Sequence, residues 1–396
     1  MAVSLNAFIP ERIAEARAAR RITSMSALAR SMSLSPSSVS RWEDGSSVPD
    51  PETLAQLANF LNVRQEFFFR PACISDRPTF LRSLASTHVR DLSYQSAQMR
   101  WLQEVSHALE HYVDFPKVDI PDVMNGARYN QLRDEDIERI ALELRRYWGL
   151  GEGPCGDMVT HLERIGCIVS AIEMGTTKLD GLCSWSPVDG RPFILLATDK
   201  MSFARRQMDA AHEMAHAILH REVTDVELRS DLKTIESQAF RLAGAFLLPS
   251  TTFPIEMQHP SLATMVVAKE RWRVSIKAQI RRLVQLNCIP DDVATHFYKL
   301  YSAKGWSKEE PFDRQWVPSV PRVLSDAIHL VVDSRVRSKS DLLSLEFAIS
   351  AGDVENLVGL EPGWFKRPEA TVTTLKPRAT SGIPGMGEVI QFPSKR

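Results

Sequence analysis

The sequence predicts a multidomain chain, mainly α-helical with one α+β region, and three observations carry that prediction. The chain has 396 residues, too many for one ordinary domain of ~150 residues. Apolar residues in 8–70 recur at helical spacing, as in Leu54, Leu57, Ala58 and Leu61. Three short strand-like runs, 167–172, 181–185 and 192–198, lie together between helical periods.

Composition narrows the class. Hydrophobic residues make up 44% and charged residues 24%, values of a globular chain rather than a disordered one. Lysine and arginine number 48 against 49 acidic residues, a net charge of -1. No global positive field exists, so any contact with nucleic acid must come from a local patch. Cys73, Cys155, Cys167, Cys183 and Cys288 are scattered and form no CxxC pair. That excludes a zinc ribbon and a thioredoxin-type site and suits reduced thiols. No apolar run reaches the ~18 residues of a membrane helix, and no leader pattern opens the chain. The expected location is cytoplasmic, without a membrane partner.

The elements follow in order. Residues 8–70 form an all-α bundle whose short helices are parted by polar clusters at 33–38 and 44–51. Residues 71–129 read as a linker and connecting helix, with a helix over 91–113 whose inward stripe is Leu92, Met99, Leu102, Val105 and Leu109. The α+β region spans 130–315. Its helices are expected at 134–148, 157–165, 202–220, 234–248 and 262–286, with the strand-like runs between the second and the third. Residues 316–370 form a small helical module. The last segment, 371–396, rich in Pro, Gly, Thr and Ser, reads as a flexible tail. No internal repeat occurs.

The chemistry concentrates at 209–220. His212-Glu213-x-x-His216 places two imidazoles at i and i+4, on one helix face, where both can reach one ion. Imidazole is a good donor to zinc. Glu213 is offset from the metal-facing pair and suits the removal of a proton from an attacking water. Zinc needs a third protein ligand. His220 lies eight residues past His212, ~12 Å of helical rise away, and no Gly or Pro breaks the helix between them. It reads as a helix-end histidine near the negative pole of the dipole. Glu236 is the favoured third ligand, with Glu222 and Glu227 as alternatives. It opens a second apolar helix whose Ala239, Ala243 and Ala245 allow close approach to the first. An HExxH helix, a loop and a glutamate-bearing helix make a glu-zincin arrangement.

A second site lies near the N-terminus. Residues 24–32 form one short helix with Leu28 and Met32 inward. Ser35 suits an N-cap and Pro36 the first helical position of a second, with Val39 and Trp42 inward. The outer face offers Ser35, Ser37, Ser38 and Arg41 to a major groove. Arg17, Arg20, Arg21 and Arg30 are candidate phosphate contacts.

On these residues the chain resembles two families. Ala211-His-Glu-Met-Ala-His-Ala-Ile-Leu-His220 and Glu236-Ser-Gln-Ala-Phe-Arg-Leu-Ala-Gly-Ala-Phe-Leu-Leu-Pro249 resemble the ImmA/IrrE metallo-endopeptidases. The likeness extends to Lys269-Glu-Arg-Trp-Arg-Val-Ser-Ile276, Gly305-Trp306 and Glu310-Pro311. It implies a zincin-like domain with a small β-sheet over 130–315. His212, His216 and Glu236 would hold Zn2+, and Glu213 would be the catalytic base. It also implies a role in bacterial or phage regulation by cutting a repressor. Met214 and Ala215 replace the usual Leu and Gly, and Phe240 stands where Asn or Asp is common. Leu28-Ala29, Val39-Ser-Arg-Trp-Glu43-Asp-Gly45, Pro49 and 54–63 resemble the XRE/Cro-type helix-turn-helix. That likeness implies a double-stranded DNA operator and a homodimer. Met25 replaces a frequent Gln.

Two functions remain open at this point. One is a DNA-binding regulatory zinc endopeptidase acting on a protein or peptide substrate. The other is a transcriptional regulator whose zincin-like domain is a sensor or scaffold without proteolysis. The presence of Glu213 favours the first, because a sensor needs no general base.

Overall fold

Local signals start the N-terminal helices. α1 (Glu11–Ala19), α2 (Met25–Ser31), α3 (Pro36–Glu43) and α4 (Pro51–Leu61) follow one another in short steps. Ser24, Ser35 and Asp50 cap the last three, each accepting a backbone N–H three residues on. Pro36 and Pro51 occupy first-turn positions, where no N–H is required. The computed structural model describes residues 8–72, 80–81, 89–176, 179–199 and 202–368. The expected flexible tail, 371–396, and most of 71–90 lie outside the described residues.

β1 (Phe80–Leu81) and α5 (Val89–Leu109) come next, then α6 (Asp134–Tyr147) and α7 (Met158–Arg164). β2 (Ile168–Ile172), β3 (Gly181–Trp185) and β4 (Pro192–Ala197) lead into α8 (Phe203–Leu219), α9 (Asp225–Ser230) and α10 (Leu232–Leu247). The remaining helices are α11 (Phe253–Glu256), α12 (Leu262–Trp272), α13 (Ile276–Gln285), α14 (Asp291–Ala303), α15 (Val323–Asp333), α16 (Lys339–Asp341) and α17 (Ala351–Val358). The mainly α architecture with one small sheet agrees with the sequence prediction. Among the described residues, no helix is long and apolar enough to cross a membrane.

The sheet runs β1-β3-β4-β2. β3 and β4 pair antiparallel, and β2 joins β4 in parallel register, Ile168 opposite Phe193. Successive side chains of a strand point to opposite faces, and here both faces are buried. Val169, Cys183, Ile194 and Leu196 join a core with α6, α7, α8, α10 and α12–α14. Ile168, Ile172, Leu182, Phe193 and Leu195 join a second core with α1–α5, α15 and α17. Burial on both sides explains why the strands read as nearly continuous apolar runs.

Two expectations change. The helix expected at 262–286 is two helices. Arg273 takes a left-handed conformation (φ 59°) and ends α12, and Ser275 caps α13 by accepting from the Ala278 N–H. The stretch expected to link and connect contains a strand, β1, added antiparallel to β3. The helix expected there is α5, and Met99, Leu102, Val105 and Leu109 of its predicted stripe are buried; Trp101, fully buried beside them, donates its Nε1–H to Glu15 Oε1 on α1 at 2.9 Å. Each of the two cores draws residues from more than one of the expected ranges. Residues of the N-terminal bundle, one sheet face, α15 and α17 pack as one unit.

Candidate metal centre and nucleic-acid interface

α8 begins where Ser202 Oγ accepts the Arg205 N–H and ends at His220. Ala210, Ala211, Ala215 and Ala217 are buried, and their small side chains let the sheet and α10 lie close. α10 meets α8 through Ala239, Ala243 and Ala245, also buried. This packing brings Glu236 onto the histidine pair. His212 Nε2 and His216 Nε2 are 3.1 Å apart. Glu236 Oε2 lies 3.4 Å from His212 Nε2, and its Oε1 lies 3.3 Å from His216 Nε2. A tetrahedral ion with bonds of ~2.0 Å spaces its donors ~3.3 Å apart, so the set has the right size and chemistry for zinc. Burial opposes the charge on Glu236, but the two imidazoles outweigh it and hold the carboxyl well below its usual range.

The alternatives lie elsewhere. Glu222 is exposed beside Arg221, and Glu227 caps α9 through Thr224 and pairs with Arg128. Neither is among the described groups whose donor atoms could share an ion. A second such group does exist, His107, Glu110 and Asp189. Arg191 already sits in it, with Nε 3.3 Å from Asp189 and 3.8 Å from Glu110. That cluster is an ion-pair tie between the end of α5 and the β3–β4 turn.

Glu213 is 1% exposed and rests against the backbone at the start of β3. A Cβ on Gly181 would lie 2.6 Å from Glu213 Oε1, far inside contact distance. Gly181 is thus the residue that makes room for the carboxylate, and no spacing rule in the sequence pointed to it. Gly181→Ala should displace the Glu213 carboxylate while leaving the histidine pair in place. If the site is a zinc hydrolase, the expected result is unchanged zinc content with hydrolysis reduced ~10-fold or more. Equal activity in the two proteins would contradict the assigned role.

His220 is where sequence reasoning fell short. It ends α8 as expected, and it is fully buried with partners that the sequence did not indicate. Its Nδ1 is 3.0 Å from His216 Nδ1, and its Nε2 is 3.1 Å from Gln238 Oε1. Burial, reinforced by His216, holds its pKa well below the usual histidine range. Phe240 also gains a role. Its ring packs on His212 with centroids 4.3 Å apart, and Arg281 lies over Phe240 at 4.6 Å. An aromatic contact therefore steadies the His212 ring where the resemblance led one to look for Asn or Asp.

At the N-terminal site, α3 presents a polar outer face. Ser35 Oγ accepts the Ser38 N–H at 3.1 Å and contacts the Ser37 and Ser38 hydroxyls. Ser37 and Arg41 are exposed, Ser38 is half-buried, and Val39 and Trp42 point inward. The expected phosphate contacts need correction. Arg17 grips Glu43 with two bonds of 2.8 and 3.0 Å. Arg20 grips Asp353 in the first turn of α17 at 2.8 and 2.6 Å. Arg21 donates to Met174 O at 2.8 Å and lies over Tyr94. The cause is that α1 is a core helix, with Ile13, Ala16 and Ala19 buried, so the arginines around it meet protein. Arg30 and Arg41 remain exposed.

Residues 162–284 match the peptidase M78 family, described as an IrrE N-terminal-like domain, and residues 13–66 match a helix-turn-helix family. The chain joins an XRE-type helix-turn-helix to an IrrE/ImmA-like domain. No curated protein gives a significant match.

The IrrE-like match ends at 284, but its packing reaches further. Lys269 is fully buried and donates to Glu310 Oε2 at 2.8 Å and Asp313 Oδ1 at 2.7 Å. Glu310 also accepts the Ile276 N–H at the start of α13 and the Tyr301 hydroxyl. Asp313 accepts from Ser202, the cap of α8. The distant motif residues at 269–276 and 310 thus meet in one buried network. For the helix-turn-helix, Arg41→Ala should cost about 1–3 kcal/mol of operator discrimination if Arg41 reads a base. Arg17→Ala should instead lower thermal stability. Gel-shift titration and thermal melting of both variants separate the effects, and the reverse pattern would refute the assignment.

Proposed function

We propose that this DNA-binding regulator is a zinc endopeptidase that cuts a protein partner, a repressor being the candidate substrate. The observation that carries it is the triangle of His212, His216 and Glu236, with edges of 3.1 to 3.4 Å, beside the buried Glu213. His212, His216 and Glu236 would hold the ion. Zinc, when bound, polarises the scissile carbonyl and favours ionisation of water. Glu213 would take the proton of the attacking water and deliver it to the departing amine. The helix-turn-helix would hold a homodimer of the protein on a double-stranded operator in the cytoplasm, through Ser35, Ser37, Ser38 and Arg41.

A second reading has its own support. The bundle and the sheet share a core, which suits an IrrE-like domain that senses a ligand or peptide and adjusts DNA binding without hydrolysis. Two measurements decide. Metal analysis should find stoichiometric zinc in the wild type and none in His212→Ala. Comparison of proteomes carrying wild type or Glu213→Gln should reveal a fragment that depends on Glu213. Zinc without any such fragment would leave the sensor, and absence of zinc would remove both.

A further inference from the structure

We propose that His220 is a positioning residue that sets the tautomer of His216 and so presents an unprotonated Nε2 to the metal. The inference rests on the metal reading above.

The argument starts at a backbone carbonyl. Tyr129 O can only accept, and Gln238 Nε2 donates to it at 2.7 Å. The amide of Gln238 is therefore oriented, with Oε1 toward His220 Nε2 at 3.1 Å. An amide oxygen also only accepts, so His220 Nε2 carries a proton. A histidine that binds metal through Nε2 keeps its own ring proton on Nδ1, and His216 Nδ1 lies 3.0 Å from His220 Nδ1. With Nε2 of His220 already the donor, its Nδ1 is the acceptor that His216 needs, and the Nε2 of His216 is left for the metal. That atom is the one 3.3 Å from Glu236 Oε1 and 3.1 Å from His212 Nε2. Each hydrogen bond has one permitted direction, and the last fixes a ligand atom.

The relay is shielded and anchored. His216, His220 and Gln238 are 1%, 0% and 7% exposed, so water competes little for these bonds. Tyr129 is held by its hydroxyl, which donates to Asp231 Oδ2 at 2.6 Å at the start of α10. The same helix carries Glu236 and Gln238, so the third ligand and the orienting amide move together. A histidine whose other nitrogen has a fixed acceptor binds metal more tightly, because ring orientation and tautomer are set beforehand.

The test titrates the full chain with Zn2+ against a chromophoric chelator and records the visible spectrum of the Co2+ form. His220→Phe should weaken zinc binding about 10- to 100-fold and shift the cobalt bands. His220→Gln restores an acceptor for His216 and should stay within a few-fold of wild type, with its cobalt spectrum. Gln238→Leu breaks the next bond and should fall between, and it serves if His220→Phe does not fold. Wild-type affinity in both His220→Phe and Gln238→Leu would overturn the relay. Equal losses in His220→Gln and His220→Phe would reduce His220 to a packing role and overturn it too. A wild type that takes up no zinc would instead defeat the metal reading itself.

Discussion

Replacing Glu213 by Gln should leave zinc content unchanged and slow peptide-bond hydrolysis about 10^2- to 10^4-fold, the range that a positioned general base contributes. The amide keeps the size of the carboxylate, so the contact with Gly181 survives and the fold should too. It cannot accept the proton of the attacking water at neutral pH. Glu213 is almost fully buried, which leaves little access for a bulk base to substitute. Single-turnover cleavage of the fragment's parent protein, with metal analysis of the same sample, gives the measurement. A variant that cleaves within a few-fold of wild type would rule Glu213 out as the base. A variant that loses zinc would make its effect structural.

The second large effect is on stability. Lys269→Met should destabilise the fold by about 3–5 kcal/mol, the usual cost of removing one partner from a buried charge pair. Lys269 is fully buried between Glu310 and Asp313. Its loss leaves two carboxylates facing each other with reduced compensation. The backbone N–H of Ile276 and the Tyr301 hydroxyl still reach Glu310, which limits the damage. Chemical denaturation followed by far-ultraviolet circular dichroism reads the change. A loss below about 1 kcal/mol would mean that the network is solvated or redundant.

Much of the architecture was legible where a residue's role is local. Ser35 and Pro36 announce a helix start, and the apolar runs of β2–β4 announce strands, because caps and periodicity depend on near neighbours. The HExxH spacing placed two imidazoles on one face for the same reason, and the small residues of α10 made Glu236 the sensible third donor. What stayed hidden depends on distant partners. Arg20 looks like a phosphate contact until Asp353 is seen beside it. His220 looks like a helix cap until Gln238 and Tyr129 arrive from other elements. Gly181 carries no signal at all, since its requirement comes from a carboxylate on α8. The break at Arg273 was missed because neither Gly nor Pro marks it.

The sheet with two buried faces has a thermodynamic meaning. A ligand that binds only the folded state stabilises whatever unfolds with its site, by about 2.7 kcal/mol at a hundred times its dissociation constant. Here Val169, Ile194 and Leu196 belong to the metal side and Ile168, Phe193 and Leu195 to the DNA side of the same strands. Those strands cannot melt for one side alone. If zinc is taken up on one face, it would raise the cost of disordering the strands that the helix-turn-helix packs on, and an operator would return the favour to the metal site. The regulator and the peptidase-like site would share one reserve of stability without any hinge, lid or moving part between them.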